Sequence, residues 1–309
     1  MTDRPADVDD ATRVFAGYRE LLFSITYNLL GSVADSEDVL QETWLSWTAR
    51  NSRPSAEKIE NPRAYLVRIA VNQALERQAA IIRRREVYVG PWLPEPLLTD
   101  GAAKPEADVA SAALRAEAVS IAMLVVLETL TPLERAVFVL HDLFGYSHIE
   151  IAGIIDRTPA ATRQISHRSR EHVHARRPRY QANPRIQRQA TERFLAAALG
   201  GDLGELLNIL APDVTLWTDG GGKTRAAALR PIHGRDKVAR LLAAIASHHP
   251  QGLDIRYRYV NGDQSAVLFS EGAPYAVLVV DSDDPSGKIR GIYAVANPDK
   301  LARVSEQEG

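Results

Sequence analysis

Residues 145–171 read GYSHIEIAGIIDRTPAATRQISHRSRE. Ile149, Ile151, Ala152, Ile154 and Ile155 give a short helix an apolar face. Asp156, Arg157 and Thr158 supply a tight turn. Thr158 is placed to cap the next helix, and Pro159 suits its first position. That second helix carries Arg163, Gln164, His167, Arg168 and Arg170. A short helix, a tight turn and a basic second helix form the device that enters a major groove. The spacing puts Arg163, Gln164, His167 and Arg168 on one face. Arginine forks onto guanine and glutamine pairs with adenine, so this face is the candidate base reader. Thr158 and Arg170 are better placed for phosphate.

The rest of the chain must be consistent with a nucleic-acid binder, and its net charge of -2 over 309 residues at first argues against one. Split by segment, the charge tells another story. Residues 1–60 hold 11 acidic and 6 basic groups, a net of -5. Residues 61–93 hold six arginines against Glu76 and Glu86, a net of +4. Residues 143–180 hold seven arginines against Glu150, Asp156 and Glu171, again +4. Basic patches attract phosphate, whereas the acidic one repels DNA and suits a basic protein partner. Each patch read alone is equally a solvated helix face. Cysteine is absent, which excludes a disulfide framework, a thiolate zinc site and a cysteine nucleophile, and fits a reducing cytosol. No run approaches the ~18 apolar residues of a membrane span, so no membrane role is expected.

Three parts follow from periodicity and breakers. Residues 10–87 read as helices, with Phe15, Leu21, Leu22, Ile25, Leu29 and Leu30 at helical spacing. Gly31 ends the first helix, Ser32 or Asp35 starts the second, and Asn61-Pro62 starts the third. Residues 88–112, with prolines at 91, 94, 96 and 105, read as a linker that contains WLPEPL. Residues 113–180 return to helix and end in the helix-turn-helix. From 184 to 309 two helices precede strand-like runs, DVTLWT, DIRYRYV, SAVLFSEG, YAVLVVDS and KIRGIYAVA, with a helix among them. Helices followed by consecutive strands predict an α+β domain with an antiparallel sheet. GGGKT at 220–224 is no phosphate loop, because position 217 is Trp217 and not the glycine that motif requires.

ADSEDVLQETWLSW (34–47), NPRAYLVRIAVNQALERQ (61–78) and the stretch 130–171 together resemble the extracytoplasmic-function class of the sigma-70 family. WLPEPL (92–97), DGGGK (219–223) and NPDKL (297–301) are similar to the subgroup with a fused SnoaL-like, NTF2-fold domain. The resemblance implies a multidomain chain: two all-α sigma domains, 10–87 and 113–180, and an α+β NTF2-like cone. It implies a sigma factor that binds core RNA polymerase and promoter DNA, with the C-terminal domain as an intramolecular regulator. His167 departs from the apolar or small residue common in the family.

The resemblance assigns polymerase docking to the helix bearing Asp35, Glu37, Asp38, Gln41 and Glu42. Acidic groups also favour a helix N-terminus, so part of this set serves its own helix. Val39, Leu40, Trp44 and Leu45 are expected on its inward face. Asn72 falls at the family position that reads a -10 base, and Arg68, one turn earlier, reaches phosphate or base. Trp44, Trp47 and Tyr65 are candidates to hold unstacked bases or, equally, core. The loop 51–60 would form the pocket for a flipped base. Trp92, Asp219, Lys223, Asn297, Asp299 and Lys300 are the candidate interdomain regulatory residues, with Asp219 and Lys223 expected to contact the sigma domains. Trp217, Tyr257, Tyr259, Phe269, Tyr275, Tyr293 and His233 are candidate linings of a cone pocket. No cofactor, metal or catalytic constellation is expected, and a small-molecule effector is allowed. The rival readings are a ligand-sensing helix-turn-helix regulator and a SnoaL-like cyclase or isomerase.

Overall fold

The computed structural model describes residues 6–52, 59–99, 119–175, 184–224, 227–282 and 287–304. They fall into two compact units. The first holds residues up to 84 together with 126–176, and the second holds 85–105, 119–125 and 177–309.

In the first unit, α1 (Ala6–Leu30), α2 (Val33–Asn51) and α3 (Pro62–Glu86) form an antiparallel set. Gly31 at φ 68° terminates α1, and the Ser32 hydroxyl caps α2 by accepting from the Asp35 amide at 3.2 Å. Asn61 caps α3 by accepting from the Ala64 amide at 3.0 Å, and Pro62 sits where a missing amide costs nothing. Leu22, Ile25, Leu29, Val39, Leu66, Val67 and Val71 are fully buried between them. At about 1.5–3 kcal/mol for each large apolar side chain, this stripe holds the bundle.

The same unit contains the shorter helices. Thr131 and Glu134 form a reciprocal cap at the start of α5 (Pro132–Phe138); the helix before it, α4 (Ile121–Leu127), has residues 121–125 in the second unit and only its last two in the first. Ser147 and Glu150 do the same for α6 (His148–Ile154). Asp156 takes φ 53°, which makes the tight turn, and Thr158 and Pro159 open α7 (Pro159–His174) as the sequence predicts. Ile151, Ala152, Ile154 and Ile155 are buried, but Ile149 is 71% exposed and lies off the apolar face. Position 149 is the second residue of a seven-residue helix, where the apolar stripe has not yet begun.

In the second unit, α8 (Pro184–Gly200), α9 (Leu203–Ile209) and α10 (Arg235–Ile245) cover one face of a seven-stranded sheet. The strands are β1 (Leu98–Thr99), β2 (Leu210–Asp219), β3 (Ile232–His233), β4 (Asp254–Val260), β5 (Asp263–Ser270), β6 (Ala273–Ser282) and β7 (Ile289–Val295), in the order β1-β4-β5-β6-β7-β2-β3. This is the α+β arrangement expected. The sheet is mixed, however: β2 pairs with β7 in parallel. The chain leaves β2 for the far edge and returns by three antiparallel turns, β4 to β7. The last strand, β7, lies alongside β2 in the same direction.

Along β6 the alternation serves two cores. Leu278 and Val280 pack on the helices, whereas Val277 and Val279 face a second layer. That second layer is made by Leu93, Ile121, Ala122, Leu301 and Val304. So 88–99 is no free spacer, because the sheet's second apolar face needs cover and Leu93 supplies it. Residues 119–125, expected with the helix-turn-helix domain, likewise belong to this unit. The expected turn at Asp284-Pro285-Ser286, most of the 51–60 loop and the expected helix over 113–118 lie outside the described residues.

Leu93→Ala should lower the unfolding free energy of the C-terminal unit by about 2–5 kcal/mol, followed by tryptophan fluorescence in urea. A plain spacer would show no change. A second expectation concerns Asp263, whose carboxyl is lifted by burial from 3.8 to about 6, against an opposing hydrogen bond from Gln187. The folded unit holds this proton more tightly than the unfolded chain does. The stability it contributes is full below about pH 4 and is lost as pH rises through about 6. Asp263→Asn should therefore raise the melting temperature at about pH 7.5 and leave it nearly unchanged at about pH 4.

Candidate nucleic-acid interface

The recognition face is built by the amphipathicity of α7. Thr162, Ile165, Ser166, Ser169 and Val173 are buried, so Arg163, Gln164, His167 and Arg168 emerge together on the exposed side. His167 lies 3.4 Å from Glu171 one turn on, with both side chains exposed. Thr158 accepts from the Ala161 amide at 3.2 Å, which leaves its hydroxyl proton for an outside acceptor. Arg170 differs from its neighbours: its Nε donates to Asp142 at 2.7 Å. It braces α7 against the preceding segment, and only the remainder of its guanidinium faces outward.

On α3, Arg68 is exposed while Asn72 is half-buried. The Asn72 amide donates to the carbonyl of Ile154 at 3.1 Å, in the first helix of the helix-turn-helix. Arg63 stacks its guanidinium 5.3 Å from the Tyr146 ring centroid. Arg135, 3% exposed, donates to the Asn28 carbonyl at 2.8 Å and to Glu128 at 2.6 Å. The two candidate readers are therefore held together within the first unit. Arg135 was not singled out in the sequence; LTPLERAVF hides it as an ordinary polar position in a helix.

The acidic helix divides into an inner and an outer set. Asp35 is only 6% exposed and is turned inward, held by Arg77 at 2.9 Å and Arg84 at 2.8 Å. Burial pushes its carboxyl up, but the hydrogen bonds and charge of Arg84 and Arg77 outweigh this and leave it below the ordinary value. It has no outward-facing surface to offer a partner. Glu37 pairs with Arg19 at 2.7 Å; Asp38 pairs with Arg77, which also lies 3.5 Å from Glu42. Asp38, Gln41 and Glu42 face solvent with Leu45, which is 51% exposed. Val39 and Leu40 pack inward as expected, but Leu45 does not and Trp44 does so only in part. Trp47 is core: it is 3% exposed and donates its indole proton to the Ala11 carbonyl at 2.8 Å. Its ring lies 5.8 Å from that of Tyr65.

Five of the six candidate regulatory residues meet in two adjoining sets in the second unit, and the sixth packs against the first set. Asp219 is fully buried. Its carboxylate accepts from the Tyr88 hydroxyl, from the Leu93 amide at 2.8 Å, from the Gly221 amide at 3.1 Å and from Lys300 at 2.7 Å. The Lys300 ammonium also donates to the Leu93 carbonyl and sits 3.5 Å from the Trp92 ring centroid. Asn297 donates to the Tyr88 hydroxyl at 2.8 Å. Burial and the Asp219 carboxylate push the Tyr88 phenol up, so it stays protonated and donates. Lys223 pairs with Asp299 at 2.6 Å at the surface. Asp219 and Lys223 thus contact the 88–93 stretch and the NPDKL stretch, which lie on the same sheet face. Gly221, at φ 58°, carries no Cβ where one would lie 2.5 Å from Asn297. Tyr88 was missed by the sequence reading, although its aromatic ring between Val87 and Val89 was a signal.

The candidate pocket linings do not converge. Trp217 stacks on Tyr293 at 4.7 Å, and Phe269 shares their face of the sheet, while Tyr257 and Tyr275 pack on the helix side. His233 is exposed, with Nδ1 3.0 Å from the Thr215 hydroxyl.

A basic recognition helix, a second reader helix and an acidic helix, joined to a sheet domain, define a promoter-recognition factor of the sigma-70 type. Family comparison agrees: residues 14–84 match Sigma-70 region 2, and residues 120–173 match Sigma-70, region 4. The chain is 34% identical over 298 residues to the ECF RNA polymerase sigma factor SigJ of Mycobacterium tuberculosis, covering 93% of this chain and 92% of that one. It is 27% identical over 304 residues to a probable ECF RNA polymerase sigma factor, SigI, of the same organism, covering 97% and 98%. The crystal structure of SigJ superposes with a TM-score of 0.73 at 33% identity, covering 95% of this chain and 99% of that one. The chain belongs to the ECF RNA polymerase sigma factors. No helix among the described residues is long and apolar enough to cross a membrane.

Removing Lys300 strands a buried carboxylate. Lys300→Met should cost about 3–5 kcal/mol in the second unit, measured by denaturant unfolding. Adding Asp219→Asn should recover part of that loss. Equal and additive losses would show that the pair is not coupled.

Proposed function

We propose that this sigma factor reads promoters with two helices that the free chain holds shut, and that its C-terminal unit controls their release. Core polymerase docks on the outer set Glu37, Asp38, Gln41 and Glu42, with Leu45 as an apolar anchor in the middle of the polar face; the inner Asp35 orients α2 through Arg77 and Arg84. Charge complementarity speeds and orients such docking. Asn72 and Arg68 read the -10 element, and Arg163, Gln164, His167 and Arg168 read the -35 element. Thr158 and Arg170 contact phosphate. The chain acts by binding and not by catalysis, which the division of its aromatic residues between two sheet faces supports. The helix side of the sheet is filled by Leu206, Leu210, Val214, Val238 and Ile292, so this reading needs no effector in the cone. Action beside the polymerase places the protein in the cytoplasm.

The observation that carries this reading is the 3.1 Å hydrogen bond from Asn72 to Ile154. The two promoter elements lie about 25 base pairs apart by their names, about 85 Å of duplex at 3.4 Å per base pair. Readers in direct contact cannot span that distance, and the amide that would meet a base is already engaged. Docking on polymerase and DNA must therefore replace the contacts of Asn72, Arg63 and Arg135, as a shift between two populated states.

Run-off transcription with purified core polymerase tests this. Arg163→Ala should weaken initiation by about tenfold or more at promoters that depend on the -35 element, at about 1–3 kcal/mol per bidentate contact. Asn72→Ala should change the preferred -10 bases while core binding is retained. Loss of core binding in Asn72→Ala would show that α3 serves the polymerase and not the promoter.

A further inference from the structure

Positive charge in the second unit is concentrated on one stretch. Residues 227–252 carry Arg230, Arg235, Lys237 and Arg240 against a single carboxylate, Asp236, a net of +3. The flanking stretches 184–224 and 253–304 hold ten basic and twelve acidic groups, a net of -2. Pairing shows the same contrast. In the flanking stretches four surface arginines are answered: Arg188 by Glu192 at 2.8 Å, Arg193 by Glu205 at 2.5 Å, Arg256 by Asp254 at 2.8 Å and Arg290 by Asp213 at 3.5 Å. Arg230, Lys237 and Arg240 are exposed and meet no carboxylate among the described residues. Asp236 lies 3.8 Å from Arg235 instead. The fold brings these cations to one edge of the sheet. β3 is the last strand in the order, so no further strand covers it, and Arg230 immediately precedes it in the chain but for Pro231. Gly234, at φ 93°, turns the chain from β3 into α10 in one residue. Val238 and Ala239 are fully buried beneath α10. Lys237 and Arg240, one turn apart, therefore stand on its outer side, with the exposed Ala244 a further turn on.

We infer that this face of the C-terminal unit is a third, sequence-independent contact with promoter DNA, and that it takes the phosphate backbone of the duplex. Unpaired cations on an outer helix face attract a polyanion, and each phosphate they neutralise releases counterions. The stretch 227–252 contains no Phe, Tyr or Trp, so it has no platform on which unstacked bases could lie. Duplex phosphates need none. Three such contacts are weak alone. The chain's own readers already hold the same duplex, however, so this contact closes as an intramolecular event at high effective concentration. It adds to the two readers and requires neither their closed arrangement nor its release.

Binding of the full chain with core polymerase to promoter duplex, measured across salt concentrations, tests this. The combined variant Arg230→Gln, Lys237→Gln, Arg240→Gln should lower the slope of log affinity against log salt by about one per residue, about three in all. The preferred -10 and -35 sequences should not change, because phosphate contacts carry no base information. Arg188→Gln, which removes a cation already paired with Glu192, should leave the slope as it is. Arg230→Lys with Arg240→Lys keeps both charges and should keep the slope, since a point charge is enough for a phosphate. An unchanged slope in the glutamine variant would overturn the third contact. So would an unchanged slope with weakened affinity for core polymerase, which would assign the face to an acidic protein surface.

Discussion

A fully buried carboxylate organises the C-terminal unit. Asp219 has no water to meet, so every lone pair must find a donor within the protein, and an unanswered buried charge is costly. Its donors come from three separate stretches: Tyr88 and Leu93 before the sheet, Gly221 beside it and Lys300 after it. The demand of one charge therefore draws the stretch at 88–93 and the NPDKL helix onto the same face. Leu93, Leu301 and Val304 then complete an apolar layer that β5, β6 and β7 would otherwise expose. Polar contacts set the positions, and apolar burial supplies most of the stability.

The helical unit uses the same logic with a cation. Arg135 leaves water to meet the last carbonyls of α1 through Asn28, where the helix dipole favours positive charge, with Glu128 as counter-ion. Together with the Asn72 amide and the Arg63–Tyr146 stack, it joins the helices of the two candidate readers. These contacts are polar. A polar contact is worth little net when water or another partner can replace it. Such contacts specify one arrangement and yet yield to a large partner, which suits a protein that must change partners to act.

Much of this was legible in the chain. Gly31, Asn61-Pro62, Thr158-Pro159 and the strand-like run YAVLVVDS read correctly because each rests on local geometry. The outward face of α7 was legible for the same reason. What lay hidden was pairing at long range. Nothing local distinguishes Asp35, clamped by Arg77 and Arg84, from Asp38, which faces solvent; the two are three residues apart on one helix. Leu45 looked like core because it is apolar, and its exposure shows only once α2 is packed. Asn261-Gly262 read as a turn, which it is, but a turn signal carries no trace of the hydrogen bonds that Asn261 makes to Leu97. The parallel pairing of β2 and β7 likewise joins strands about seventy residues apart, and neither strand's residues announce it.

The central claim is that the readers are shut together in the free chain and apart at a promoter. Cysteines placed at the exposed positions Ala79 and Ala175, one near the end of α3 and one just past α7, allow a donor and acceptor dye to be attached without competing thiols. Single-molecule energy transfer should be high in the free protein and fall to a low value in the complex with core polymerase and promoter DNA. An unchanged high value in a complex that initiates transcription would contradict the account.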